Sequence, residues 1–432
     1  MQKIFHELFS TVQVKPFAVK YPNGDLVQYG PQDPGTKPTC TLVFNTERAM
    51  KAVATGIDLG FGESYMYGEL DVEGNFKDFM EVAMAPGGME EAVLRTAYRP
   101  GFILKHLPSF FESVLLYFFQ SNTKNNSKKH LSMAYDTGND FFQLMLDKNM
   151  LYTCAYFKTP DDTIDQAQEQ KCEHVSRKLL LKPGETLLDI GCGWGGMLIH
   201  AAKHYGISGL GVTLSKAQAD LAMERITQAG LQDRIQVKHM DYRDLPLTQR
   251  YDKIVSLGCL EHIGKSHYKD YFRIVKQLLS PQGLFLLHHI GNKGYSRPSL
   301  FARKYLFPGS YAPPLYEVAE AISREGMRIH DVENLRIHYA YTAERWLENV
   351  ERHKEEITKM YDDVFVRVYR LYLNHGMGFC RYGAAELFQV LLSPHVNNEL
   401  LPLTREHLYQ NSTPSNGNGT KKKPTLATSS KK

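Results

Sequence analysis

Cysteine is scarce and scattered. Six residues (Cys40, Cys154, Cys172, Cys192, Cys259 and Cys380) are spread along 432, with no CxxC pair and no Cys/His cluster at metal-ligand spacing. A disulfide-stapled scaffold is excluded, no metal site is expected, and the thiols read as reduced core fillers. Net charge is small as well: 51 Lys and Arg stand against 47 Asp and Glu, a formal +4. That is too weak for a nucleic-acid footprint and compatible with an anionic membrane surface. Long apolar runs are missing. The longest stretch, Phe102 to Gln120, contains Lys105, His106 and Glu112 and does not read as a membrane span. The N-terminus, MQKIFHELFSTVQ, carries charges where a secretion signal needs an unbroken apolar region. No internal repeat is visible, and the expectation is a cytoplasmic protein.

With 43% apolar and 23% charged residues, the chain has the composition of a globular protein and length for two domains. Residues 1–95 mix short strand-like runs (PFAVKY, CTLVFN) with glycine turns, then a helical stretch near Glu90 to Tyr98, and read as a small α+β domain. Residues 96–130 follow as an amphipathic helix and a basic linker. Leu107, Phe110, Phe111, Val114, Leu115 and Phe118 fall at helical spacing, a face for a neighbouring domain, a second copy in a homodimer, or lipid. Lys124, Lys128 and Lys129 in the linker are either solvated or set against lipid phosphates.

From residue 131 to 410 the pattern is one α/β domain. A helix over Asp165 to Leu180 leads into LLDIGCGWGG (Leu187 to Gly196), and the strands GLGVTLS, IQVKHMDY, YDKIVSLG and GLFLLHHIG follow with helices between them. Such alternation predicts a doubly wound parallel sheet with ligands at the carboxyl ends of its strands. Residues 292–328, rich in aromatics and proline, read as an insertion over that edge. Helices are expected over Thr342 to Tyr372 and Gly383 to Leu392, and 411–432 reads as a disordered basic tail.

LLDIGCGWGG is a strand that breaks into a glycine turn and opens a helix. Glycines there let backbone approach a ligand, and the helix start presents unpaired N–H groups. Both dinucleotide and S-adenosylmethionine (AdoMet) enzymes use such a turn. A nicotinamide enzyme places an acid about 20 residues further on to hold ribose hydroxyls. Here the second strand ends in Val212-Thr213-Leu214-Ser215, leaving the hydroxyl of Thr213 and the amide of Gln218 as the polar groups. Asp189, just before the glycines, suits an amino-acid-like ligand end, or is a buried structural acid.

LLDIGCGWGG, GVTLSKAQ, LGCLEHIG, LLHHIG and RKYLFPG, in that order, together with AYDTGNDFFQLMLDKNMLYTCAYF upstream, resemble the cyclopropane-fatty-acyl-phospholipid synthase family over about residues 131–395. The N-terminal domain resembles the extra domain of the phospholipid-acting branch. The resemblance implies a class I AdoMet-dependent methyltransferase domain and methyl transfer to the cis double bond of unsaturated acyl chains of membrane phospholipids. It implies bound bicarbonate as the base, and a peripheral enzyme on the inner face of the membrane. For AdoMet it implies Tyr152 and Thr153 at the methionine end, Asp189 with Gly191, Gly193 and Gly195 beneath it, Thr213 and Gln218 toward the ribose, and Tyr242 at the adenine. For bicarbonate it implies Glu261, His288 and Tyr339, with Ile290 and Cys154 contributing backbone. Phe301, Tyr305, Phe307 and Tyr311 are candidates to line an acyl channel.

Three positions depart from the family pattern: Ala134 where many members have His, Ser310 for the second glycine of FPGG, and Gly376 at a C-terminal cysteine often flagged as active. Rival readings are a methyl-branched fatty acid synthase, a small-molecule N-methyltransferase, and an AdoMet- or lipid-binding protein without turnover.

Overall fold

The strand signals resolve into two sheets in the computed structural model, which describes residues 1–31, 35–97, 138–294, 299–396 and 399–409. The expected Phe102–Gln120 helix, the basic linker, Ala134 and the 411–432 tail lie outside the described residues. The first unit runs α1 (Gln2–Phe9), β1 (Phe17–Lys20), β2 (Leu26–Tyr29), β3 (Cys40–Phe44), α2 (Glu47–Met66), β4 (Leu70–Gly74), α3 (Phe76–Met84) and α4 (Met89–Ala97). Its strands lie in the order β2-β1-β3-β4. Phe5, Phe9, Phe17, Tyr29 and Phe44 are buried and pack ring against ring in stacked, tilted and edge-on pairs, which lets so small a sheet keep a core.

The second unit continues with α5 (Asn139–Met145), α6 (Ile164–Lys178), β5 (Thr186–Ile190), α7 (Gly196–Tyr205), β6 (Ser208–Thr213), α8 (Lys216–Gln228), β7 (Ile235–His239), β8 (Tyr251–Leu257), α9 (Tyr268–Leu278) and β9 (Leu279–Asn292). It ends with α10 (Leu300–Tyr305), α11 (Leu315–Arg324), β10 (Arg328–Asn334), α12 (Arg336–Arg352), α13 (Lys354–Met360), α14 (Asp363–Arg381) and β11 (Ala385–Ser393). The strand order is β10-β11-β9-β8-β5-β6-β7. The block from β9 to β7 is parallel, and β11 and β10 add an antiparallel edge. Leu187, Leu188 and Ile190 of β5 are buried on both faces, as a central parallel strand requires. Chain order reverses between β5 and β8, so a crevice opens at their carboxyl ends.

The helix expected over Gly383 to Leu392 is a strand. AELFQVLLS lies between β9 and β10 with both faces covered, so its apolar run carries no period to mark it as β. Thr342 to Tyr372 falls in three helices, α12, α13 and α14. Among the described residues no helix is long and apolar enough to cross a membrane.

The two units are joined chiefly by α14 and α10. Arg367 of α14 donates to Tyr65 O and to Asp71 Oδ1, both at 2.6 Å. Lys304 and Tyr305 of α10 both donate to Glu63 at 2.7 Å, and the Phe301 ring fills the space above Gly62. Phe301 and Tyr305, expected along an acyl channel, are therefore turned onto the first unit. Phe307 instead faces Tyr372 at 5.4 Å, and Tyr311 N donates to Glu261 O at 2.9 Å.

Candidate active site

At the crevice, β5 ends in the glycine turn. Gly191, Gly193 and Gly195 have φ of 81°, 55° and 77°, the left-handed region that glycine enters without strain. Gly196 then starts α7 pressed against Asn149 O and Leu151, where no Cβ would fit. The cleft above this turn is lined by Tyr152, Thr153, Asp189, Gly191, Gly193, Thr213, Gln218 and Tyr242, all among the residues that the family resemblance implies for AdoMet. Gly195 does not line it. It caps α7 and faces Ala222, Ile226 and Val237 in the core.

Asp189 is buried, and its Oδ1 has no hydrogen-bond partner. Burial raises its pKa to about 7, against the pull of Lys171. Lys171, itself fully buried, donates to Thr153 Oγ1 at 2.8 Å, and Gln168 of the same helix donates to Leu151 O and Thr153 O at 3.1 and 2.8 Å. These bonds hold the 151–153 segment over the turn. An orphaned acid beside a glycine cradle and a helix start fits the amino-acid end of AdoMet. Thr213 Oγ1 donates to Gln218 Oε1 at 2.7 Å, which fixes the amide in the first turn of α8. The Tyr242 ring meets the Tyr271 ring edge-on at 5.4 Å.

A second set of groups gathers where β8 and β9 end. Glu261, in a 3-10 turn after β8, is buried, and its Oε1 accepts a short bond from Ile290 N. Its Oε2 has no hydrogen-bond partner, and burial lifts the carboxyl to about 7. His288 lies two residues before Ile290 and pairs with Gln389 of β11. With Gln389 Nε2 donating to Nδ1 at 3.2 Å, the neutral imidazole carries its proton on Nε2, which has no hydrogen-bond partner. Burial pushes its pKa well down. His289 points to the other face of the sheet, bonds Ile290 O and sits 5.6 Å from the Phe388 ring.

Tyr339 of α12, Cys154 and Ile290 pack in one cluster with Leu335, Leu387 and Tyr156. Cys154 is fully buried, burial raises its thiol pKa, and Sγ donates to Ala155 O at 3.2 Å, so it is no nucleophile. Glu261 Oε2 is thus an unfilled acceptor and His288 Nε2 an unfilled donor, both buried at the ends of neighbouring strands.

Several contributors leave no signal in the sequence pattern. Tyr372 of α14 takes the Tyr152 hydroxyl at 3.3 Å and also bonds Tyr339, so it joins the cleft to the second set. Trp194, Asp241, Cys259 and His262 also line the cleft. Gly376 sits mid-helix, and a methyl group placed on its Cα would meet nothing within 4 Å. The positive φ of the FPGS turn falls on Gly309, so Ser310 brings no strain.

A family model for mycolic acid cyclopropane synthetase matches residues 122–390, and one for a domain of unknown function matches residues 4–89. The cyclopropane-fatty-acyl-phospholipid synthase of Escherichia coli (strain K12) is 35% identical over 371 residues, 85% of this chain and 91% of that one. A probable fatty acid methyltransferase of Pseudomonas putida is 38% identical over 299 residues, 67% of this chain and 76% of its own. The solved cyclopropane synthase MmaA2 of Mycobacterium tuberculosis superposes with a TM-score of 0.59 at 30% identity, covering 62% of this chain and 98% of that one. Fold and cleft define a class I AdoMet-dependent methyltransferase. Within that class the chain belongs to the mycolic acid cyclopropane synthetase family.

Proposed function

We propose that the enzyme transfers the AdoMet methyl group to a cis double bond in the acyl chains of membrane phospholipids and closes a cyclopropane ring. The observation that carries this reading is the pair of unfilled atoms, Glu261 Oε2 and His288 Nε2, at the strand ends next to the AdoMet-type cleft. When bound, AdoMet supplies an electrophilic methyl group, and bicarbonate supplies the base for the proton that ring closure releases. Asp189, Tyr152 and Thr153 hold the methionine end, Gln218 faces the ribose and Tyr242 the adenine. Glu261, ionised, would accept the hydroxyl of that anion, His288 would donate to it, and Tyr339, Ile290 and Cys154 would complete the pocket.

An alkene is a weak nucleophile, so the chain's task is to hold the double bond against the methyl group in a dry site. Tyr152, which lines the cleft, packs 5.1 Å from Trp346, with Tyr339 edge-on to the same ring at 6.3 Å, and an aromatic face in the cleft would stabilise the positive charge that develops on the acyl carbons. Phospholipid as the acyl carrier is supported by similarity to the E. coli synthase along 91% of its length. A peripheral position on the inner membrane face and a homodimer are parts of the same proposal. The purified enzyme, given AdoMet and vesicles of unsaturated phospholipid, is expected to add one methylene to the acyl chains by mass spectrometry. No gain rejects the proposal. A chain that gains the same mass but keeps a double bond cleavable by ozone, a methyl- or methylene-branched alkene formed by proton loss without ring closure, replaces it with plain methyl transfer, the reading nearer the probable fatty acid methyltransferase of P. putida.

A further inference from the structure

Outside the cleft, α6 and α7 pack side by side, and each offers a pair of residues four apart on the facing sides: Glu169 and Glu173 from α6, His200 and His204 from α7. One ligand atom each from Glu169, His200 and His204 lies within 4.8 Å of the others. Glu169 Oε1 is 3.0 Å from His200 Nδ1 and 3.7 Å from His204 Nε2. Donor atoms bound at about 2.1 Å to a tetrahedral ion stand about 3.4 Å apart, so these separations bracket the spacing that an ion would impose. We propose that Glu169, His200 and His204 form a site for a divalent transition-metal ion of the zinc class, bound through Glu169 Oε1, His200 Nδ1 and His204 Nε2.

The surroundings are those of a ligand set. His200 is buried, with 7% exposure, and its Nε2 has no hydrogen-bond partner. That nitrogen points at Glu173 Oε2, 3.7 Å away, the carboxylate on the far side of the ring that orients a metal-bound histidine. Glu173 is itself fixed by Arg177 Nε at 2.6 Å and the Tyr205 hydroxyl at 2.9 Å. Asn149 Nδ2 donates to the other oxygen of Glu169, Oε2, at 3.1 Å and leaves Oε1 for the ion. Two imidazoles and one carboxylate favour zinc over magnesium or calcium, which select all-oxygen sites. Glu169 and His204 are half exposed, so an ion can enter from solvent and keep a water in its fourth position.

The ion would clip α6 to α7 behind the glycine turn. Asn149, which braces Glu169, presses its carbonyl on Gly196, and Gln168 beside Glu169 holds the carbonyls of Leu151 and Thr153. Its role is structural, and it touches no reacting atom.

The test uses the full chain stripped with a chelator and titrated with zinc chloride in a calorimeter. One saturable site is expected, with a zinc-dependent rise in melting temperature. His204→Ala, read against its own zinc-free melting temperature because its ring packs 4.6 Å from that of His200, is expected to weaken binding at least about tenfold and to abolish the rise. Glu169→Gln is expected to do the same. Cobalt(II) is expected to give tetrahedral visible absorption in the wild type and not in His204→Ala. Uptake that does not saturate near one ion per chain, or equal affinity in wild type and both variants, overturns the proposal and leaves Glu169 and His200 as an ordinary ion pair.

Discussion

The two halves of the site are built in opposite ways. The cleft half is a continuous piece of backbone, Asp189 to Gly196, whose shape comes from glycines that have no side chain to offer. The half around Glu261 is made of side chains drawn from the segment after β8, from β9, from β11 and from α12. The first holds a ligand by excluded volume and N–H groups, and so a methyl group is enough to damage it. The second depends on which atom carries a proton, and an isosteric swap that changes hydrogen-bonding character is enough there.

Removing the carboxylate from the side-chain half has the largest expected effect. Glu261→Gln keeps the shape and loses the acceptor, and methyl transfer is expected to fall by about 10²–10⁴-fold, the range for a positioned acid–base group. Turnover reduced with AdoMet affinity near the wild-type value would locate the loss in chemistry. A loss of AdoMet affinity instead would merge the two halves into one unit.

The same variant isolates a pH effect. Burial lifts the Glu261 pKa from the ordinary 4.5 to about 7, so its contribution to stability is complete below 4.5 and is lost as pH rises through about 7. Wild type is therefore expected to lose about 3 kcal/mol relative to Glu261→Gln between those limits, measured as the difference in denaturant unfolding. Taking the difference cancels Asp189, raised to about 7, and His289, lowered to about 4 and destabilising as pH falls. For kcat/KM the ionised carboxylate is the competent form, and an acidic limb with a midpoint near 7 is expected.

On the backbone half, Gly196→Ala drives a methyl group into Asn149 O and to 2.9 Å from Leu151 Cδ2. It is expected to cost about 1–3 kcal/mol in stability, the range for overpacking, and to weaken AdoMet binding measured by calorimetry. Gly193→Ala meets nothing within 4 Å and is strained only by its φ of 55°, so about 1–2 kcal/mol is expected. Because Gly193 lines the cleft, its added methyl group is expected to weaken AdoMet binding as well, and unchanged AdoMet affinity in Gly193→Ala would show that the turn does not hold its ligand by excluded volume. The smallest effect belongs to Gly376, far from both halves in character: Gly376→Ala adds a methyl group to a helix with free space and is expected to gain about 0.5–1 kcal/mol with unchanged activity.

Much of the cleft is legible in the sequence because local chain carries it. A strand, an acid and a run of glycines follow one another in ten residues and bring Asp189, Gly191 and Gly193 to the cleft, while Tyr152, Thr153 and Tyr242, which also line it, were expected there only from the family resemblance. Gly195 is the exception because left-handed caps and ligand-facing glycines look alike in a sequence. The Ala385–Ser393 strand reads as a helix over Gly383 to Leu392 because burial on both faces erases alternation. Tyr372 is invisible for a different reason. It is one of 25 tyrosines, and only the packing of α14 brings its hydroxyl to those of Tyr152 and Tyr339.

Composition and local pattern by themselves determined the α/β class, the order of the parallel strands along the chain and the glycine turn, since periodicity and turn chemistry act over a few residues. Tertiary structure decided everything that depends on distance between remote residues. It turned Phe301 and Tyr305 onto the first unit, left Glu261 Oε2 and His288 Nε2 without partners, and set Glu169 against His200 across two helices. Whether a polar atom is satisfied depends on what the rest of the chain brings to it, and no spacing within a motif contains that information.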